Sequence, residues 1–195
     1  MAVKIVAVLA TYQLIEYLIC GVNLQSSYIT YTAFVVISFL PPMTLHFTLK
    51  LFDKWKRGWS LIYLPAAAFT IYYAFILPQF STAKCSIFYA VHNYPHGDLF
   101  GLVYYLPILA TMILLFRFRN NPVNKKIKAS VKILLGALIF TALPVLTAFI
   151  LKAFELDGLL RAIVSVMCKF AIGYAFALAI FALLNSKDKN ARNNS

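Results

Sequence analysis

Six stretches of about twenty mostly apolar residues follow one another along this chain, at 3–22, 28–49, 59–80, 99–116, 131–151 and 159–184. A helix rising 1.5 Å per residue needs about 20 such residues to cross roughly 30 Å of hydrocarbon. The connections are short and polar: NLQSS, DKWKRG, STAKCSIFYAVHNYPHGD, RFRNNPVNKKIKAS and KAFELDG. None holds a soluble domain, and the apolar part of CSIFYAV is too short for a seventh span. Of 195 residues, 62% are hydrophobic and 12% charged, about half the charged share of a soluble domain. Such a chain has too little polar surface to face water. The expectation is an all-α, polytopic transmembrane bundle: one six-span domain over 1–186 and a polar tail at 187–195. Its first partner is the lipid bilayer, and a bacterial or archaeal cytoplasmic membrane is the expected location. Gln13 and Glu16 interrupt the first run and no small-x-small cleavage site follows it, so 3–22 reads as a span and not a signal peptide.

Eighteen Lys and Arg against six Asp and Glu give a net charge of +12. In a soluble protein that balance suggests nucleic acid; here its distribution reports topology, and no nucleic-acid partner is expected. Lys50, Lys54, Lys56 and Arg57 surround the second connection; Arg117, Arg119, Lys125, Lys126, Lys128 and Lys132 surround the fourth. Lys187, Lys189 and Arg192 lie in the tail, and Lys4 opens the chain. The first connection has no basic residue, the third has Lys84, and the fifth offsets Lys152 and Arg161 with Glu155 and Asp157. The alternation puts both termini in the cytoplasm, which requires an even number of spans.

Glu16 is the only acidic residue within a predicted span, and Lys169 the only basic one well inside. An ionisable group at mid-membrane costs about 2.5–3.5 kcal/mol on insertion scales, so such groups face the bundle interior and find partners. Glu16 lies about 20 Å from the inner end of its span and Lys169 about 15 Å from the outer end of its own. In a core of about 30 Å these depths nearly coincide. The reading is an ion pair between the first and last helices. At 100° per residue Tyr12, Gln13, Glu16, Cys20 and Asn23 share a face of the first helix. On the last, Lys169 shares its face with Ser165 and Gly173. A small-residue stripe at Ala171, Ala175 and Ala179 suits close packing, while Tyr174 and Phe181 suit lipid. The expected intramembrane polar site is therefore Tyr12, Gln13, Glu16, Ser165 and Lys169. An anionic small ligand competing for Lys169, or a proton taken up by Glu16, would loosen the pair; a purely structural fastener is the alternative.

Prolines at 41, 42, 107 and 144 remove backbone donors and kink their spans. Tyr72, Tyr73, Tyr104 and Tyr105 offer aromatic walls to a cavity or interfacial anchors. His46 falls near the inner end of the second span, an interfacial histidine or a pH-sensing gate. His92, His96 and Asp98 in the third connection have ligand chemistry for zinc or copper, but Pro95 interrupts them and no fourth ligand is evident. Three cysteines form no C-x-x-C, so thioredoxin-like chemistry has no support. Cys20 and Cys85 both fall on the outer side, where a disulfide is conceivable; Cys168 lies too deep to join them. No second intramembrane carboxylate, Ser–His pairing at matched depth or phosphate loop is present. No catalytic residue and no cofactor are expected, and enzymatic activity rests only on the outer His/Asp group.

YQLIEYLI in the first span, YYLPILATMILLFRFR in the fourth and SVMCKFAIGYA in the sixth resemble a group of uncharacterised bacterial multipass membrane proteins with Q-x-x-E in the first helix. The fourth and fifth spans with their basic loop also look like the membrane sensor half of multi-helix histidine kinases. The resemblance carries no activity with it; the polar interior is what points to a sensor-like or transport-like binding bundle, and a structural or assembly subunit, acting as a homo-oligomer or with a membrane partner, is the competing class.

Overall fold

The computed structural model describes residues 1–79, 81–85, 90–93, 95–119, 125–154 and 171–183. The apolar runs become helices: α1 (Ala2–Cys20), α2 (Ser27–Ser38), α3 (Leu40–Leu51), α4 (Leu64–Phe75), α5 (Gly97–Phe118) and α6 (Lys125–Ala153), with a last helical segment α7 (Ala171–Leu183). Among the described residues three stretches are long and apolar enough to cross a membrane: Ala2–Cys20, Ser27–Leu51 and Leu99–Phe118.

The second stretch is two rods. Pro41 and Pro42 occupy the first turn of α3 and cannot donate backward, so the helix breaks at Phe39 and restarts. Of its most apolar window 61% is buried, against 17% for α5, which makes α2–α3 the centre and α5 the periphery. Both long α1 and the α2–α3 pair end on a non-glycine residue in the left-handed region. Asn23 (φ 61°) follows α1 and Asp53 (φ 53°) follows α3, and short polar side chains tolerate that conformation. In each case the next amide turns back onto the helix, Leu24 N–H to Leu18 O at 3.1 Å and Lys54 N–H to Leu49 O at 2.8 Å. Asn23 thus lies beyond the helix and exposed, off the inward face that the sequence assigned it.

The third stretch is not one regular helix. A seven-residue 3₁₀ stretch (Arg57–Tyr63) leads into the twelve residues of α4, and a further 3₁₀ turn (Leu77–Gln79) follows. Pro65 in the first turn of α4 and Pro78 beyond it set those limits. The connection after it, read from sequence as a loop, contains a two-stranded antiparallel ladder, β1 (Ser81–Cys85) and β2 (Ala90–Asn93), with an irregularity between Thr82 and Lys84. The fold is therefore helical with one short hairpin. β2 lies against α1 and β1 against α2.

α1 packs on α2 and α3, α2 also on α4, and α3 on α5, which in turn meets α6. One core joins Ile5 and Leu9 of α1, Leu40 and Phe47 of α3, Leu115 of α5, Leu134 and Leu138 of α6 and Leu178 of α7. A second is aromatic: Phe34 of α2, Tyr73 of α4 and Phe100 of α5, with ring centroids 4.7 Å (Phe34–Tyr73) and 4.6 Å (Phe34–Phe100) apart. The buried residues of α1 are Ala2, Ile5, Leu9, Tyr12, Glu16 and Ile19, one seam of alternating three- and four-residue steps.

The outside of this bundle is apolar too. Leu99, Leu102, Leu106, Leu109, Ile113 and Phe116 are all more than half exposed and form one stripe along α5, about 25 Å long by the helix rise. Phe176, Ile180 and Leu183 are also exposed and form a second stripe on α7. Water does not tolerate such continuous apolar surface; acyl chains do. Leu115 is fully buried, whereas Leu109 is 53% exposed. We expect Leu115→Ala to destabilise the fold by about 2–5 kcal/mol and Leu109→Ala by less than about 0.5 kcal/mol, measured by denaturant titration in mixed micelles.

Candidate functional site

Three of the seven polar side chains buried among the described residues are hydroxyls that turn back onto their own helix. Ser38 Oγ donates to Phe34 O at 2.6 Å, Thr44 Oγ1 to Leu40 O at 2.9 Å and Thr111 Oγ1 to Pro107 O at 2.7 Å. The bond satisfies the donor without a neighbour. Glu16 cannot do this: an ionised carboxylate has acceptors only. It is 3% exposed and is the one charged side chain buried among the described residues. α1 holds it on the inward seam, one turn beyond Tyr12, which is 4% exposed. Its neighbours along that seam are apolar: Tyr12 and Ile19 pack with Ala33 of α2, flanked by Ile15, Cys20, Ile29, Val36 and Ile37. Gln13 is only half-buried, at the edge of the seam. Tyr12, Gln13 and Glu16 each have an interaction partner.

Ser165 and Lys169 lie outside the described residues. The helix that follows them does not present the faces the sequence suggested. Tyr174, Ala177 and Leu178 of α7 are buried, while Ala179 and Ile180 are exposed. The Tyr174 hydroxyl is set beside Thr44, and Phe181 meets Phe47 edge-on at 5.3 Å. Tyr174 and Phe181 therefore face α3, while of the small-residue stripe Ala171 and Ala175 pack against the core and Ala179 is exposed. Gly173, grouped with Lys169 by helical phase, faces α6: a Cβ there would sit 3.4 Å from the Phe140 ring.

A second polar cluster, only partly visible in the sequence, closes the far end of α3. His46 stacks on Trp55, with centroids 3.5 Å apart and planes 13° from parallel. Its Nδ1 is 2.9 Å from the Tyr63 hydroxyl, and its Nε2 is buried with no hydrogen-bond partner among the described residues. The turn over 52–56 is short, so residues on either side of it must meet; that is the signal that could have found Trp55 and Tyr63. The arrangement ties α3 to the 3₁₀ stretch leading into α4.

At the other end, His96 is exposed, adopts φ 55° and opens α5. The Tyr73 hydroxyl donates to Pro95 O at 2.6 Å, which fixes the approach to that helix. Tyr72 and His96 line an open apolar groove with Ala68, Phe69 and Leu99. His92 belongs to β2 and Asp98 to the first turn of α5, but their side chains lie outside the described residues. Among the described residues no three His, Cys, Asp or Glu side chains cluster as metal ligands would. Cys20 is disulfide-bonded.

No family model, no curated protein and no solved structure matches the chain.

The His46 cluster makes its own forecast. Tyr63→Phe removes a partly buried hydrogen bond and should lower stability by about 0.5–1.5 kcal/mol. In a Trp59→Phe background, His46→Ala should shift Trp55 emission to the red, since the stacked imidazole that shields the indole is gone.

Proposed function

We propose that this chain is a six-span membrane protein with both termini cytoplasmic, acting as a small sensor-like or transport-like binding bundle. Its polar intramembrane site is built from Tyr12, Gln13 and Glu16 of the first span and Ser165 and Lys169 of the last. The observation that carries this reading is Glu16: a carboxylate 3% exposed in an apolar seam of a helix long enough to span. Intramembrane ionisable residues are costly and are characteristic of ligand, ion and proton paths. The pairing with Lys169 rests on matched depth along the two spans, not on the phase of α7.

The span count draws support from the third stretch. Its 3₁₀ segments rise about 2 Å per residue, so 57–79 covers about 38 Å if its pieces are collinear, enough for a membrane. The charge alternation requires the same even number. The likeness of the fourth and fifth spans to sensor membrane regions supports the binding reading by analogy alone.

In this mechanism an anionic ligand displaces Glu16 from Lys169, or a proton on Glu16 releases the lysine, and the first span loosens from the sixth. Removing either charge leaves the other buried and unpaired. Glu16→Gln and Lys169→Met should each destabilise the protein by about 3–5 kcal/mol, and the double variant should recover most of that loss. Thermal stability with a panel of small carboxylates and phosphates gives the binding readout: a shift in wild type, none in Lys169→Met. Additive single-variant effects and no shift with any anion would defeat the reading.

A role as an assembly subunit is favoured by a different observation. The cavity between α2–α3, α4 and α5, lined by Ser38, Pro42, Ala66, Phe100, Tyr104 and Pro107, is about 20 Å³, room for one water at most. A cavity this small between those helices suits a subunit whose business is at its outer surface, as a homo-oligomer or with a membrane partner. Detergent-corrected mass separates the two: a monomer supports binding, a fixed larger particle supports assembly.

A further inference from the structure

Cys20 is the last residue of α1 and it is disulfide-bonded. The chain has three cysteines, so the partner is Cys85 or Cys168. In the six-span topology Cys168 falls about 14 Å below the outer end of its span, whereas Cys20 ends its helix at that outer side. Cys85 is the final residue of β1, in the hairpin whose strands lie against α1 and α2. Among the described residues, the hairpin brings a cysteine-bearing strand against the α1–α2 pair that carries Cys20.

We propose that Cys20 and Cys85 form a disulfide that staples the hairpin over the outer end of the α1–α2 interface and so governs access from outside to Glu16. This rests on the intramembrane site proposed above and adds its regulation. Cys20 follows Glu16 by four residues, which places it on the same helix face about 6 Å further out. It packs with Tyr12, Ile19 and Ala33, in the seam that buries the carboxylate. The far side of the hairpin is held as well, since Tyr73 anchors Pro95 just after β2. A covalent tie at one side and a hydrogen bond at the other keep the two strands across the helix ends.

The chemistry requires an oxidising compartment, which agrees with the charge distribution: the connections on this side carry the fewest Lys and Arg residues. Closing the bond removes two protons and two electrons from the two thiols. They pass by thiol–disulfide exchange to a protein disulfide of the outer compartment, which leaves as its dithiol. Reduction by an external dithiol runs the same exchange backward and frees the hairpin from α1.

Two measurements on the full chain test this. Purified without reductant, denatured and alkylated, the protein should show one free thiol, mapped to Cys168, and three after reduction. Free Cys85, or three free thiols at the outset, overturns the assignment. In zwitterionic phospholipid vesicles, a water-soluble carbodiimide with an amine nucleophile should label Glu16 at least about tenfold faster after phosphine reduction. Cys85→Ser should label like the reduced wild type without any reductant. Equal rates before and after reduction overturn the control of access even with the bond in place. Neither readout uses a ligand, so failure here is separate from failure of the binding test on Lys169→Met.

Discussion

Hydrocarbon offers no hydrogen bonds, and that lack governs this fold down to single side chains. Eight Ser and Thr hydroxyls, from Thr11 in α1 to Thr147 in α6, donate to the carbonyl four residues earlier in their own helix. Where a proline removes a backbone donor, a hydroxyl stands nearby: Ser38 before Pro41, and Thr111 one turn after Pro107. Tyrosines serve between helices in the same way, Tyr31 reaching Thr70 O at 2.9 Å and Tyr73 reaching Pro95 O. Each helix largely settles its own polar groups, and the contacts between helices are left to shape and aromatic packing.

Against that background Glu16 and His46 stand out. Glu16 has no self-contained solution, so its burial demands something from another part of the chain. His46 keeps one nitrogen engaged by Tyr63 and the other buried with no hydrogen-bond partner among the described residues, as are the Thr48 and Tyr174 hydroxyls. Glu16 and His46 each lie in the C-terminal half of their helix, and the two helices pack together. Buried polar groups left to depend on distant partners are where a packed bundle has more than one way to be satisfied.

The run lengths and charges of the sequence sufficed for the long helices because hydrophobic length and helix length are nearly the same quantity in a membrane. α5 extends two residues past the expected 99–116 at each end, and Glu16 faces inward as its charge required. What escaped was local. The strands at 81–85 and 90–93 are too short to show a period. Pro65 and Pro78 were visible, but not the 3₁₀ geometry they induce around α4. On α7 the small Ala171 and Ala175 pack toward the core as their size suggests, but so do the bulky Tyr174 and Phe181, while Ala179 is exposed. Acyl chains and the protein interior are equally apolar, so bulk alone does not choose between them. Lys169 and Ser165 were legible only as composition and depth.

The break at Phe39 has a mechanical meaning. α2 is gripped by α1 and α4, and α3 by α5 as well as α1, yet only one residue, with φ −86° and ψ −10°, connects the two rods. Both dihedrals stay within the helical region, where small rotations cost little. A change of a few degrees there would tilt the upper rod and its neighbours against the lower rod and its own without unravelling a turn. The centre of this molecule is thus an articulated axle, placed in the most enclosed of its long apolar stretches.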